Sequence, residues 1–151
     1  MPDSCNVAVL GGGSFGTVIA NIIAGNGNRV RLWLRNEVLA EAINSQRQNS
    51  EYLPGYPLHE KLEATSSLAR AVEGVDVVMV AVPSSSFRAV VRELAACIQV
   101  DTLLVSLTKG IEPGGFRLMS EILRQEMPAN PTGVLSGPNL AGEIAAGHVT
   151  G

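Results

Sequence analysis

Aromatic residues, cysteines, lysines and any surplus of positive charge are all scarce in this chain of 151 residues. Phe, Trp and Tyr together make up 4% of the sequence, so its core must be built from aliphatic side chains. Eleven Lys and Arg against fourteen Asp and Glu leave a net charge of -3. That balance offers no basic surface to follow a phosphate backbone or an anionic membrane, and no nucleic-acid partner is expected. Cys5 and Cys97 stand far apart without C-x-x-C spacing, which reads as free or buried thiols in a reducing compartment. No apolar run reaches the roughly 18 residues of a membrane span, and the N-terminus carries no basic-then-apolar leader. Membrane insertion is therefore not expected, and the expected location is the cytoplasm. No His, Cys and carboxylate cluster has ligand spacing, so no metal is expected. His59 and His148 have no carboxylate partner legible in the sequence, and neither is expected to be catalytic.

What the chain has is aliphatic residues and glycine. Hydrophobic residues make up 46% and charged residues 17%, the balance of a compact globular fold, and the length suits one domain. Short apolar, β-branched runs alternate with segments of helical spacing, the pattern of repeated βαβ units: an α/β fold with a doubly wound parallel sheet and helices on both faces. Strands are expected at 6–10, 29–34, 62–65, 76–82, 102–107 and 133–136. The fourth is apolar almost throughout, as a central strand covered on both faces would be, and should lie beside the first. The first helix follows Gly16 and carries Val18, Ile19, Ile22 and Ile23. Asn36 should cap a second, with Val38, Leu39, Ala42 and Ile43 on its sheet-facing side. Ser66 or Ser67 should open a third through Val72, stopped at Gly74. Ser84 or Ser85 should cap a fourth, whose buried stripe is Phe87, Val90, Val91, Leu94 and Ala95. Further helices are expected at 116–127 and 140–146. The stretch 46–57, with Pro54, Gly55 and Pro57, reads as a surface loop.

The first strand runs into Gly11-Gly12-Gly13-Ser14-Phe15-Gly16, a G-x-G-x-x-G turn that opens a helix. Gly11 permits the tight turn, Gly13 lets the main chain approach a pyrophosphate, and Gly16 lets the helix pack closely on the strand. The free N–H groups of the helix start would face phosphate oxygens. An ordinary glycine-rich turn is the alternative, but the strand before and the helix after supply the context of a dinucleotide site. In an open parallel sheet, ligands bind beyond the carboxyl ends of the strands. That rim carries Arg35, Pro83-Ser84, Lys109-Gly110 and Gly137-Pro138-Asn139. Arg35 stands where an NAD site places its ribose-reading acid, and its guanidinium suits a 2′-phosphate, which favours NADP over NAD. A solvated surface arginine is the alternative. Lys109, one of two lysines in the chain, can hold a phosphate or polarise a carbonyl, or be an exposed loop lysine. Gly137-Pro138-Asn139 at a helix start can bind an anionic substrate through N–H groups and an amide, or cap the helix in the ordinary way.

Taken together, six segments resemble the N-terminal domain of bacterial NAD(P)-dependent glycerol-3-phosphate dehydrogenases. They are Gly11 to Thr17, Leu32-Trp33-Leu34-Arg35, Asn49 to Gly55, Ala81-Val82-Pro83-Ser84, Lys109-Gly110-Ile111-Glu112, and Leu135 to Glu143. The glycine fingerprint is shared with many dehydrogenases, whereas Y-L-P, K-G-I-E and S-G-P-N-x-A-x-E in combination are more specific. The resemblance implies that Ser14, Phe15, Arg35, Lys109 and Ala141 contact the cofactor, NADP or NAD; Gly11, Gly13 and Gly16, from the fingerprint, and Pro83, from its place on the rim, are expected at the same site. It implies that Lys109, Gly137 and Asn139 meet the substrate, dihydroxyacetone phosphate or sn-glycerol 3-phosphate. The reaction implied is reduction of dihydroxyacetone phosphate to sn-glycerol 3-phosphate for glycerophospholipid synthesis. The family's catalytic lysine lies on a helical C-terminal domain, so residues 1–151 are expected to hold the cofactor domain and no catalytic residue. A homodimer of the full-length protein is compatible with the resemblance. His148 departs from the family, which usually carries proline there. The alternatives are a related reductase of a 3-hydroxy acid or ketopantoate, which should lack the K-G-I-E and S-G-P-N-x-A-x-E pair, and an NAD(P)-sensing module without chemistry.

Overall fold

The computed structural model describes residues 4–149. Twelve elements alternate along it: β1 (Asn6–Leu10), α1 (Ser14–Gly25), β2 (Arg29–Trp33), α2 (Glu37–Gln46), β3 (Leu62–Thr65), α3 (Leu68–Val72), β4 (Val77–Val80), α4 (Ser84–Ala95), β5 (Leu103–Ser106), α5 (Met119–Glu126), β6 (Thr132–Val134) and α6 (Ala141–Ala145). The strands form one sheet in the order β3-β2-β1-β4-β5-β6, and every pairing is parallel. This is the doubly wound Rossmann arrangement expected from the alternation of runs. β4 lies beside β1 in the register Val7↔Val77 to Leu10↔Val80. The chain leaves these two neighbours toward opposite edges of the sheet, so a crevice opens at their carboxyl ends.

Side chains alternate across each strand and divide the core in two. Ala8, Leu10, Val78, Val80 and Leu104 face α3, α4 and α5, where they meet Phe87, Val90, Val91, Leu94, Ile122 and Leu123. Val7, Val9, Val30 and Leu32 face α1 and α2, against Val18, Ala20, Ala24, Leu39 and Ile43. Phe87 is fully buried, and the rest of both layers is almost entirely aliphatic, as the small aromatic content demands. Asn36 caps α2 by accepting the Leu39 N–H at 3.1 Å, and Ser67 caps α3 by accepting the Arg70 N–H at 3.3 Å.

Several local expectations give way to tertiary structure. On α2 the buried residues are Leu39, Ala40 and Ile43, and Val38 points to solvent, because the sheet meets the helix about a turn's fraction further round than the apolar spacing suggests. Pro83 occupies the N-cap of α4 with φ -55, so Ser84 and Ser85 are first-turn residues and not caps. Ala95 lies at the exposed end of that helix. α5 begins at Met119, because Ile111 bridges Leu118 and Phe116 turns the chain with φ +53, folding residues 111–118 into a small hairpin. β4 ends at Val80 and β6 at Val134, short of their apolar runs. The stretch expected as a loop from 46 to 57 is irregular from 47 on, Gln46 still ending α2, yet it buries Asn49 and Leu53, so it is more than a surface loop.

Candidate cofactor site

The glycine turn separates residues that the fold needs from one that it does not. Gly11 has φ +124, and a Cβ there would lie 2.5 Å from the Ala81 carbonyl oxygen at the end of β4. A Cβ on Gly16 would lie 2.0 Å from the Gly11 carbonyl oxygen. Both glycines let β1, α1 and β4 converge. Gly13 is different: its φ is -71, and a Cβ would find no protein atom within 4 Å. It is the N-cap of α1, no side chain caps that helix, and the first-turn N–H groups remain open to an anion. Nothing in the protein requires glycine at 13, whereas a phosphate lying against the main chain would.

The turn opens into a cleft of about 650 Å³ at the carboxyl ends of the central strands. Its β2 side is lined by Arg35 and Asn36, its β4 side by Pro83 and Ser86, and its β5 side by Thr108 and Lys109. Volume and mixed lining suit a cofactor-sized ligand. Arg35 is exposed and has no ion-pair partner among the described residues. Lys109 Nζ donates to the Asn139 carbonyl oxygen at 3.1 Å and stands 5.9 Å from the centre of the Phe15 ring. Three separate segments named from the sequence thus meet at one point: the start of α1, the loop after β5 and the 137–139 turn. Gly137 and Ala141 do not line the cleft. A Cβ on Gly137 would lie 3.1 Å from the Asn139 side-chain amide, and Ala141 packs on the α1 layer of the core.

The 46–57 stretch supplies a wall that sequence reasoning read only as a loop. Asn49, fully buried, donates its amide to the Gly12 carbonyl oxygen and to Thr17 Oγ1, each at 2.9 Å. Its own Oδ1 accepts the Tyr52 N–H at 3.2 Å, and Ser14 Oγ donates to the Tyr52 carbonyl oxygen at 2.6 Å. These bonds bring Glu51 and Tyr52 to the cleft. The adjacent Glu51 carboxylate holds the Tyr52 phenol's pKa above its usual value. The apolar Leu53 inside a polar, proline-bearing stretch was the available sign that this loop is packed and not free. No group of three or more His, Cys, Asp or Glu among the described residues is arranged to hold a metal ion.

A parallel sheet with a glycine cradle at its point of reversal defines a doubly wound domain of the dinucleotide-binding class. Residues 6–151 match the family described as NAD-dependent glycerol-3-phosphate dehydrogenase N-terminus, and the chain belongs to that family. It is 52% identical over its whole length to a glycerol-3-phosphate dehydrogenase [NAD(P)+] of Saccharophagus degradans and 54% identical to that of Teredinibacter turnerae, covering 42% and 44% of those proteins. The crystal structure of glycerol-3-phosphate dehydrogenase from Coxiella burnetii superposes with a TM-score of 0.90 at 36% identity, over 96% of this chain and 44% of that one. The chain therefore spans less than half the length of the relatives it matches.

Proposed function

We propose that this chain is the cofactor-binding part of an NAD(P)-dependent glycerol-3-phosphate dehydrogenase that reduces dihydroxyacetone phosphate to sn-glycerol 3-phosphate. The observation that carries the reading is the meeting of the glycine cradle, Lys109 Nζ and the Asn139 segment in one cleft. The bound nicotinamide dinucleotide supplies the hydride. The first turn of α1 takes the pyrophosphate against Gly13, with Gly11 and Gly16 setting the approach and Ser14 and Phe15 beside it. Arg35, free to form a bidentate pair, takes the 2′-phosphate, which makes NADP the favoured form. Pro83 lies along the β4 wall of the cleft, and Ala141 supports the turn through α1.

Lys109 brings a positive charge to the substrate end, where it holds the phosphate or the carbonyl oxygen, with Asn139 against the same ligand and Gly137, outside the cleft lining, shaping the turn that carries Asn139. The proton for the carbonyl oxygen comes from a lysine on a helical segment of a longer protein, as the resemblance implies; Lys109 is a binding residue. The product feeds glycerophospholipid synthesis, and the longer protein works in the cytoplasm as a homodimer.

The test is oxidation of NADPH and NADH by the full-length gene product with dihydroxyacetone phosphate. Substrate-dependent oxidation that falls at least about a hundredfold in Lys109→Ala supports the reading. Tight NADPH binding with no oxidation by this substrate overturns it in favour of a nucleotide-sensing module.

A further inference from the structure

We infer that Arg88 and Glu112 are positioning residues for Lys109, a clamp that fixes the substrate end of the cleft from outside it. The inference rests on the proposed role of Lys109. On its N-terminal side the lysine is fixed by the sheet: Thr108 Oγ1 donates to the carbonyl oxygens of Val80 at 3.2 Å and Val82 at 2.6 Å. On its C-terminal side the chain passes through Gly110, with φ +109, into the 111–118 hairpin. Apolar burial cannot hold that hairpin, since Ile111, Phe116 and Leu118 are 46%, 78% and 55% exposed.

Its attachment is Glu112. Arg88 of α4 donates from Nε and Nη2 to the two carboxylate oxygens of Glu112, the Nη2 bond at 2.9 Å. The remaining nitrogen, Nη1, reaches Glu126 of α5, and Nη2 also meets Gln125 Oε1 at 3.0 Å. The side chains of Arg88, Glu112 and Glu126 are only 19%, 15% and 16% exposed, so solvent competes weakly for this fork. The hairpin folds around the same carboxylate. Glu112 N donates to the Arg117 carbonyl oxygen at 2.8 Å, Phe116 N donates to the Glu112 carbonyl oxygen at 3.0 Å, and a Cβ on Gly115 would come within 2.5 Å of Glu112 Oε2.

α4 also supplies Ser86 to the cleft, three residues after the Pro83 that ends the β4 wall. The Arg88 fork therefore ties the β4 wall to the loop that carries Lys109, and Lys109 Nζ keeps its distance from Phe15 and Asn139 only while that tie holds. The clamp differs from the Glu126 side of the network, which links α4 to α5 without touching the loop.

The two halves of the network can be separated in the full-length enzyme. In Glu112→Gln the KM for dihydroxyacetone phosphate is expected to rise about tenfold, the scale of a small displacement of a binding group, with kcat changed far less. Glu126→Gln should lower the melting temperature comparably yet leave KM within about twofold of the parent value. In a Lys109→Ala background, Glu112→Gln should add nothing further, because the group it positions is gone. Arg88→Lys, which keeps the charge and loses the fork, should show the same rise in KM of about tenfold and replaces Glu112→Gln as the test if Glu112→Gln fails to fold. An unchanged KM in both Glu112→Gln and Arg88→Lys, or an equal rise in Glu126→Gln, overturns the clamp while leaving the dehydrogenase reading intact. A Lys109→Ala enzyme with parental turnover removes that reading, and the clamp with it.

Discussion

The Asn49 side-chain amide donates to the Gly12 carbonyl oxygen at 2.9 Å, so a loop 37 residues away in sequence fixes the backbone of the glycine turn from behind. The same amide satisfies Thr17 Oγ1 inside α1. Asn49→Leu would leave the Gly12 oxygen with only the longer 3.3 Å bond from Thr17 Oγ1, at a cost of about 1 kcal/mol of stability. Urea unfolding should show the loss, and NADPH titration should show weaker binding as the turn loosens. Parental stability would mean that the amide is dispensable to the turn.

Gly13 and Gly16 should respond in opposite ways to the same methyl group. Alanine at 13 meets no protein atom and has an ordinary φ, and its unfolded-state gain offsets the poorer N-cap, so Gly13→Ala should melt near the parent temperature, while NADPH binding weakens about tenfold or more. Gly16→Ala drives a Cβ to 2.0 Å from the Gly11 carbonyl oxygen and should destabilise the domain by about 3 kcal/mol. Calorimetry beside nucleotide titration separates the two effects. Unaltered NADPH affinity in Gly13→Ala would remove the phosphate from that position.

The architecture was legible because the signals for it are local. An apolar β-branched run marks β4, Asn36 three residues past β2 marks the start of α2, and the glycine spacing marks the turn that joins β1 to α1. Lys109 and Asn139 could be named from their places after strand-like runs, but the bond between them joins residues thirty apart and no spacing foretold it. The 111–118 hairpin was hidden for a related reason. Its sequence carries helical spacing from Phe116 onward; Pro113-Gly114-Gly115 is a local turn signal, with Gly114 at φ +78, and the tertiary fork from Arg88 to Glu112 fixes where that turn packs before α5. Val38 shows the same limit, since apolar spacing identifies a helix stripe without fixing where the sheet will meet it.

Arg35 should decide the cofactor. It is exposed and unpaired among the described residues, so Arg35→Asp should change folding stability by no more than about 0.5 kcal/mol. Loss of a charge-assisted pair with a 2′-phosphate should cost about 2 kcal/mol of NADPH binding, roughly thirtyfold, and NADH should be affected far less. Calorimetric titration with both nucleotides checks this. Equal losses for the two would show that the arginine does not read the phosphate.

The ion network around Arg88 predicts how the fold fails in acid. Hydrogen bonds from Arg88 hold the Glu112 carboxyl below the usual glutamate range, and bonds from Arg92 and then Arg88 do the same for Glu126, while Arg88 itself is held protonated. A depressed carboxyl pKa contributes stability that is fully present above the unfolded value, near 4.3 for glutamate, and is lost as pH falls through the folded value. Urea midpoints should therefore stay level, as far as these two groups govern them, from neutral pH to about 5 and then decline below about 4. Glu112→Gln cannot titrate at that position and should start from a lower midpoint but decline less steeply, so its curve converges on the parent's in acid. Curves that run parallel from pH 7 to about 3 would show that the Arg88 to Glu112 fork adds nothing to the folded state.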